Sequence, residues 1–551
     1  MRLLYRNSNL INTGNEKLNM INEILSRDLD ILKLSKSISL NVRVFLKPEK
    51  LLSLMTDDID NILYRQQLSK DIYENEILYN ELIRIYQKLT GLQEISKDMT
   101  QASKKEITNY IKVIKWLELF CEIVSDFIGL FEKCADIISA ESLKKLKMNI
   151  EEIYSSEEFI IINKNIKLLS KDVHKLNSIK LGVNFNEYFE PISVNCLEIN
   201  NFYYYPKKMA DIVRNEKKIR GIGKLKYHPA GKMKQGDIRY DEMRAQTVVI
   251  DTTKMQRFLS CEINIGYIKA IDSFIKSLNF NNRGIIKKFI LEKTESIVEL
   301  IDDLGFFLGG IKMIKQLNEK GMPVCLPEIV EKERKIYEVE NLYNCYLPFI
   351  LNNPSENIVS NDIVLNDSSG FSILNGPNKG GKTTLIQGMC LSIILFQLGL
   401  YAPCSKAIIS PADMILTHYQ KEETGDKTGR LAIEAESIKM IFSNATKNSM
   451  IILNEPYVST SPAEGMYLIL STLKAVRELG CRGMLVTHYH KLNDKVEEEN
   501  TSAKDKISFL NMGIDSSVGN TRRTYELKKG RGEVKSFAMD ILREYAPELL
   551  D

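Results

Sequence analysis

The sequence predicts a multidomain protein: a long α-helical arm carrying a small β-containing insertion, followed by an α/β P-loop domain. Three observations carry that reading. At 551 residues the chain is longer than a single hydrophobic core organises. Residues 1–178 are rich in Leu, Ile, Lys, Glu and Asn and nearly free of Pro and Gly, the texture of helices packed on helices. Further on, Phe371 to Thr384 runs from a short apolar segment through a glycine-rich turn into an apolar-periodic stretch, in the order strand, loop, helix. The expected boundaries are a helical region over 1–178, a β-hairpin and basic insertion over 179–254, returning helices over 255–330 and the α/β domain over 331–551.

Composition narrows the class. The net charge is +3, from 75 Lys and Arg against 72 Asp and Glu, so any nucleic-acid surface has to be local. Nine cysteines, an odd number with no C-x-x-C pair, read as scattered core thiols in a reducing compartment and not as a disulfide framework or zinc site. The opening Met1-Arg-Leu-Leu-Tyr-Arg-Asn7 lacks a signal-peptide core, and no apolar run approaches membrane-spanning length. A soluble cytoplasmic protein with no membrane partner is expected.

Taken in order, Ile59 to Leu92 reads as one or two charged amphipathic helices, with Tyr64-Arg-Gln-Gln-Leu68 inside them. Ala102 to Ala140 carries another helical pattern through Trp116, Leu117, Phe120 and Val124. The texture changes at Ile179. Lys180 to Phe185 and Ile192 to Ile199 are β-rich runs joined by a polar turn, which predicts a hairpin. After the aromatic run Phe202 to Tyr205, residues 207–234 hold ten Lys or Arg against Asp211 and Glu216, broken by Gly221, Gly223, Pro229 and Gly231. Two readings stand for this segment. Lys217, Lys218, Arg220, Lys224 and Lys226 could neutralise DNA phosphates beside stacking aromatics, or the run is a solvated surface loop. From Met255 the helical pattern resumes, and Ile297, Ile301, Leu304, Leu308 and Ile311 form a seam with alternating spacings of four and three. Gly321 to Pro327 ends the arm.

The chemistry sits beyond it. Phe371 to Leu374 suits a buried strand, and the helix is expected from Leu385 to Leu398. Between them, Gly376, Pro377, Asn378, Lys379, Gly380, Gly381, Lys382, Thr383 and Thr384 match a phosphate-binding loop for ATP and Mg²⁺. Glycines let backbone N–H groups crowd an anion at a helix N-terminus, Lys382 reaches the outer phosphates, and the Thr383 hydroxyl meets the metal. Met450 to Leu453 reads as a strand ending in Asn454-Glu455. There Glu455 is placed to polarise an attacking water, and Asn454 can hydrogen-bond a metal-bound water without carrying charge. Arg482 to Val486 is a further strand. His488 beyond it can read the γ-phosphate, a structural histidine being the alternative.

Asn375 to Thr384 closely resembles the signature of the MutS family of DNA mismatch-repair ATPases, as do Val359-Ser-Asn-Asp362 and Thr487-His-Tyr-His-Lys-Leu492. Gly399 to Cys404, Glu434, Asn444 to Thr446, Thr460-Ser461 with Gly465, Lys528 to Gly530 and Ser536 to Ala538 are similar to the family at the corresponding positions. The likeness is specific over about Val339 to Leu550 and weaker over Asp57 to Leu82 and Asp302 to Ile329. It implies an ABC-type P-loop ATPase domain hydrolysing ATP to ADP and phosphate, and helical levers ending in a clamp around double-stranded, non-standard DNA. It also implies a homodimer or a heterodimer with a MutS-like paralogue, cytoplasmic and nucleoid-associated if bacterial.

The departures from the family pattern are expectations too. The mismatch-reading domain and a nuclease-like extension are expected to be absent. Asn454 stands where the family has an acid, Pro456 to Ser459 replaces a Gly-Arg-Gly pattern, and Asp426 to Leu431 lacks a Ser-Thr-Phe. Slow hydrolysis follows. The alternative function is a nucleotide-switched scaffold or regulatory subunit acting on a ribosome or a paralogue.

Overall fold

The computed structural model describes residues 3–4, 16–40, 46–101, 107–173, 178–185, 187–188, 191–200, 297, 299–366, 370–420, 429–489, 491–501, 503, 505–515 and 522–531. The basic segment 207–234 with its five candidate DNA contacts, most of the returning helices from Met255, Asp426 to Thr428 and Ser536 to Ala538 lie outside the described residues. The chain divides into two compact units, one of residues 1–87, 127–150 and 296–551, the other of 88–126 and 151–295.

The helices preceding the hairpin are α1 (Glu16–Leu29), α2 (Ile31–Ser37), α3 (Pro48–Ser53), α4 (Ile59–Glu74), α5 (Glu76–Gln101), α6 (Ile107–Lys133), α7 (Glu141–Ser155) and α8 (Glu157–Val173). In the second unit, Trp116 stacks on Phe120 with ring centroids 6.0 Å apart, and Phe120 meets Phe159 edge-on at 6.3 Å. Lys88 joins the same unit's Glu122 and Asp126 at 2.7 and 2.8 Å. Strands β1 (Ser178–Phe185) and β2 (Pro191–Asn200) pair antiparallel from Ser178↔Asn200 to Phe185↔Pro191, the hairpin the alternating pattern predicts.

In the first unit, α4 departs from its expected amphipathic character. Several of its polar residues point inward, while Asp60, Gln67 and Lys70 are exposed. Arg65, Gln66, Ser69 and Asp71 are all buried, because each finds a partner that water would otherwise supply. Arg65 Nε donates to Leu4 O (2.8 Å), Gln66 to Pro327 O (3.0 Å) and Ser69 to Gly399 O (2.7 Å). Asp71 accepts from Ser139 N (2.8 Å) and Ala140 N (2.7 Å) just before α7. The seam from Ile297 to Ile311 is buried throughout, its last four residues on α9 (Leu300–Glu319). Asp303 on that helix accepts from the backbone of Leu3 at 2.6 Å.

The rest of this unit is built on two sheets. Strands β3 (Glu328–Ile329), β4 (Tyr337–Leu342), β5 (Asn361–Leu365) and β7 (Lys406–Ile409) form one, ordered β3-β7-β4-β5, with the short helix α10 (Pro354–Asn357) before β5. The other runs β12-β11-β6-β10-β9-β8. Its members are β6 (Phe371–Asn375), β8 (Ile415–Tyr419), β9 (Met450–Asn454), β10 (Arg482–Val486), β11 (Ile507–Asp515) and β12 (Arg522–Lys529). All its pairings are parallel except β11 with β12. Helices α11 (Lys382–Gln397), α12 (Arg430–Asn444), α13 (Pro462–Leu479) and α14 (Leu492–Asn500) alternate with these strands. Strands buried on both faces explain the unbroken apolar run Met450 to Leu453 and the burial of all of Phe371 to Leu374, where the one polar residue, Ser372, lies 2.6 Å from the Ser508 hydroxyl.

Helix α1 lies against the edge strand β8. Ile21 enters the core shared by Leu416, Ile438 and Ile451, and Thr417 Oγ1 donates to Asp28 at 2.8 Å. Nothing in the periodicity of α1 announces this position. Among the described residues no helix is long and apolar enough to cross a membrane.

Candidate functional site

Because β6, β9 and β10 run parallel and in register, Leu374 and Asn454 both pairing with Val486, the residues that follow each strand emerge at one edge of the sheet. Carboxyl ends of neighbouring parallel strands are where open α/β sheets gather their chemistry. After β6 the chain turns through a tight loop, Gly380 N donating to Pro377 O at 3.1 Å, and enters α11 at Gly381. Gly381 has φ +90°, and a Cβ there would stand 3.2 Å from Tyr525 Cδ1, so both backbone and neighbour ask for glycine.

Lys382 is buried at the first turn of α11. Its Nζ donates to Gly376 O and Pro377 O, each at 3.0 Å, and lies 3.7 Å from Glu455 Oε1. Burial holds its pKa below the ordinary lysine value, and Glu455 opposes that shift. Glu455 follows β9 with φ +51°, a left-handed conformation uncommon for a non-glycine residue, and its N–H donates to Val486 O at 3.0 Å. Asn454 ends β9. Its Oδ1 is shielded from solvent and accepts no hydrogen bond among the described residues. A buried amide oxygen without a donor, the exposed Thr383 and the Glu455 carboxylate form an all-oxygen set, which fits a hard cation and its waters. The helix N-terminus and the Lys382 ammonium fit an anion beside it.

A cavity of about 630 Å³ opens over the loop. Asn378 to Thr384 and Glu455 line it; Gly376, Pro377, Asn454 and His488 are outside its lining. His488 is exposed beyond β10, its ring 4.7 Å from that of Tyr489. The preceding Thr487 is buried and donates its N–H to Leu374 O at 3.1 Å. Of the apolar wall of the cavity, Leu347, Leu351, Ile358, Val359 and Tyr525, a reading of the sequence singles out Val359 alone, as part of Val359 to Asp362. These residues come from turns before β5 and from β12, and single apolar residues in turns carry no periodic signal. Asn361 joins the two sources: its side chain donates to Tyr525 O (3.1 Å) and accepts from Leu527 N (2.6 Å).

The loop after Glu455 is held from outside the cavity. Tyr457, at φ +60°, is buried with its hydroxyl 3.0 Å from Thr472 Oγ1, and Ser459 Oγ donates to Glu434 at 3.0 Å.

Comparison with known proteins places this site in a family. The family model described as MutS domain V matches residues 372–546. The DNA mismatch repair protein MSH7 of Arabidopsis thaliana is 32% identical over 188 residues, 31% of this chain and 16% of that protein. The DNA mismatch repair protein MutS of Finegoldia magna is 22% identical over 524 residues, 88% of this chain and 54% of its own length. The DNA mismatch repair protein MSH2 of Saccharomyces cerevisiae is 23% identical over 434 residues, 76% of this chain and 41% of that protein. The chain thus spans between 16% and 54% of these relatives. With the matched domain covering the glycine-rich loop and the longer alignments covering most of the chain, this protein is a member of the MutS family.

Proposed function

We propose that this chain is an ATP-binding ATPase of mismatch-repair type, acting as a nucleotide-gated dimeric clamp on mismatched, branched or otherwise non-standard double-stranded DNA. In this reading residues 331–551 are the P-loop ATPase domain, the helices of 1–178 and 255–330 are the lever, and 179–254 belong to the clamp. The observation that carries it is the buried Lys382, held by two loop carbonyls at 3.0 Å and facing Glu455 at 3.7 Å beside a cavity of about 630 Å³. A buried cation whose partners among the described residues are two backbone carbonyls and one carboxylate is arranged for an anionic guest.

Each residue then has a task. Lys382 exchanges carbonyl oxygens for outer phosphate oxygens, and the loop N–H groups hold the remaining phosphates. Thr383 and Asn454 would hold Mg²⁺, Asn454 through a bound water. Mg²⁺, when bound, neutralises phosphate charge. Glu455 orients and polarises the attacking water, and His488 reads the γ-phosphate on closure. Leu347, Leu351, Ile358, Val359 and Tyr525 offer an apolar surface for the base. Hydrolysis is slow, because the neutral Asn454 organises the metal less firmly than a carboxylate. The partner is a second copy or a MutS-like paralogue, since a nucleotide at one domain's surface can be sealed by a two-fold related domain.

Calorimetry tests the base of this reading. Lys382→Ala removes charge-assisted bonds to phosphate, so ATP–Mg²⁺ affinity falls by about tenfold to a hundredfold. Equal affinity in variant and wild type would overturn it.

A further inference from the structure

Two thiols meet where the segment after α9 crosses the turn after α11. Cys325 N donates to Ala402 O at 3.1 Å and Ala402 N donates to Cys325 O at 2.8 Å, an isolated antiparallel bridge. Beyond it the chain curls, Cys404 N donating to Ala402 O at 3.0 Å, and the Cys404 thiol comes to lie against Cys325. The two sulfurs are 3.4 Å apart. Cys121, Cys134, Cys325, Cys345, Cys390, Cys404 and Cys481 are free thiols; Cys325 is partly exposed and the other six are buried.

We propose that Cys325 and Cys404 are a redox modification site, converted by a low-molecular-weight disulfide of the glutathione type into an intramolecular disulfide. The pairing is built by backbone that is already hydrogen-bonded across the junction. Closing the 3.4 Å contact to a bond of about 2.05 Å therefore asks for side-chain rotation rather than movement of the chain.

The two thiols differ in a way that orders the steps. The hydrogen bond with Cys404 holds the Cys325 thiol below its ordinary value, against its burial. The same hydrogen bond, followed by burial, pushes Cys404 up. Cys325 is partly exposed whereas Cys404 is buried, so Cys325 is the sulfur that a small disulfide reaches, and its thiolate is the attacking species. Cys325 sulfur, its proton lost to solvent, attacks one sulfur of the small disulfide and expels the first small thiolate, leaving a mixed disulfide on Cys325. Cys404 then loses its proton to solvent, attacks Cys325 Sγ and expels the second small thiolate. Two protein thiols are oxidised, and one small disulfide is reduced to two thiols.

The bond would tie residues 79 apart, joining the segment that leaves α9 to the turn whose Gly399 carbonyl already accepts from Ser69 of α4. Helix α11, with Lys382 at its other end, would be anchored covalently at its exit.

Full-length protein treated with excess oxidised glutathione, alkylated and mapped without reduction provides the test. The expected product is a Cys325–Cys404 linked peptide that dithiothreitol reverses. Amide exchange across 322–327 and 399–404 slows in the oxidised protein and recovers on reduction. In Cys404→Ala the reaction stops at a lasting glutathione adduct on Cys325, and in Cys325→Ser no adduct forms at Cys404. The proposal is overturned if wild-type Cys325 and Cys404 both stay free, or if wild type accumulates the Cys325 adduct as Cys404→Ala does. The wild-type map decides this even where a variant fails to fold, and nucleotide binding plays no part in it.

Discussion

Lys382 shows how one side chain serves two demands. Burial disfavours its charged form, so its folded pKa lies below the unfolded value. Between those two values the unfolded state binds the proton more readily. The stability penalty therefore develops as pH falls through that window, and it is complete below the folded pKa. Lys382→Met, which keeps the stem and removes the charge, should accordingly melt no lower than wild type at pH 7 while losing ATP affinity. A melting temperature several degrees lower would mean that the bonds to Gly376 O and Pro377 O outweigh the cost of burial. The carboxylate opposite makes a kinetic prediction. Glu455→Gln keeps the shape but cannot take a proton, so steady-state phosphate release should drop by about 10²- to 10⁴-fold with nucleotide affinity retained. Asn454→Asp places a charge where an amide oxygen with no donor among the described residues now lies, and should leave turnover unchanged or raise it. Wild-type turnover no faster than that of Glu455→Gln would remove Glu455 from the mechanism.

At the scale of elements, polar side chains of α4 reach the backbone where α11 ends. Ser69 reaches Gly399 O just past α11, Arg65 reaches Gln397 O at 3.5 Å, and Gln397 Nε2 donates to Thr56 O, shortly before α4, at 3.1 Å. The approach is so close that a Cβ on Gly399 would stand 2.2 Å from Arg65 Cβ, at a φ of +77° that already disfavours a side chain. Gly399→Ala should therefore lower stability by about 2–4 kcal/mol, read as a shift in the denaturant midpoint. Because Gly399 joins α4 to the exit of α11, amide exchange should rise first in residues 397–402. An unchanged midpoint would mean that α4 can lift away without cost. The existence of α4 was legible in its sequence. Which way it faces was not, since Arg, Gln, Ser and Asp read as a solvated face until their partners are known.

At the scale of the whole molecule, the proposed DNA interface rests on residues 207–234, and its signature is the response to salt. If Lys217, Lys218, Arg220, Lys224 and Lys226 neutralise phosphates, replacing all five with Gln weakens binding to duplex, mismatched and branched DNA alike. The slope of log affinity against log salt then flattens by about 0.9 for each phosphate no longer neutralised. Phosphate contacts position without reading bases, so any preference among the three DNAs should persist. Unchanged affinity and slope would leave the segment a solvated loop. ATP binding should survive, because the loop that holds Lys382 lies elsewhere in the chain.

Features written in contiguous residues could be read directly. The strand, glycine turn and helix around Lys382, the strands ending at Asn454 and Val486, and the hairpin over 178–200 each follow from local periodicity and turn chemistry. Family membership followed from the same short stretches. What required the folded chain is every relation between distant residues. Lys382 meets Glu455 only because β10 pairs with both β6 and β9, so that their ends share one edge. The apolar wall forms because Asn361 clasps β12, and α1 covers β8 because Ile21 completes a core built from strands far along the sequence. Cys325 and Cys404 look like two unrelated core thiols until one backbone bridge brings them to 3.4 Å. Local propensity acts over a few residues, whereas register and close backbone approach are decided by which surfaces bury one another, and only the tertiary structure holds that information.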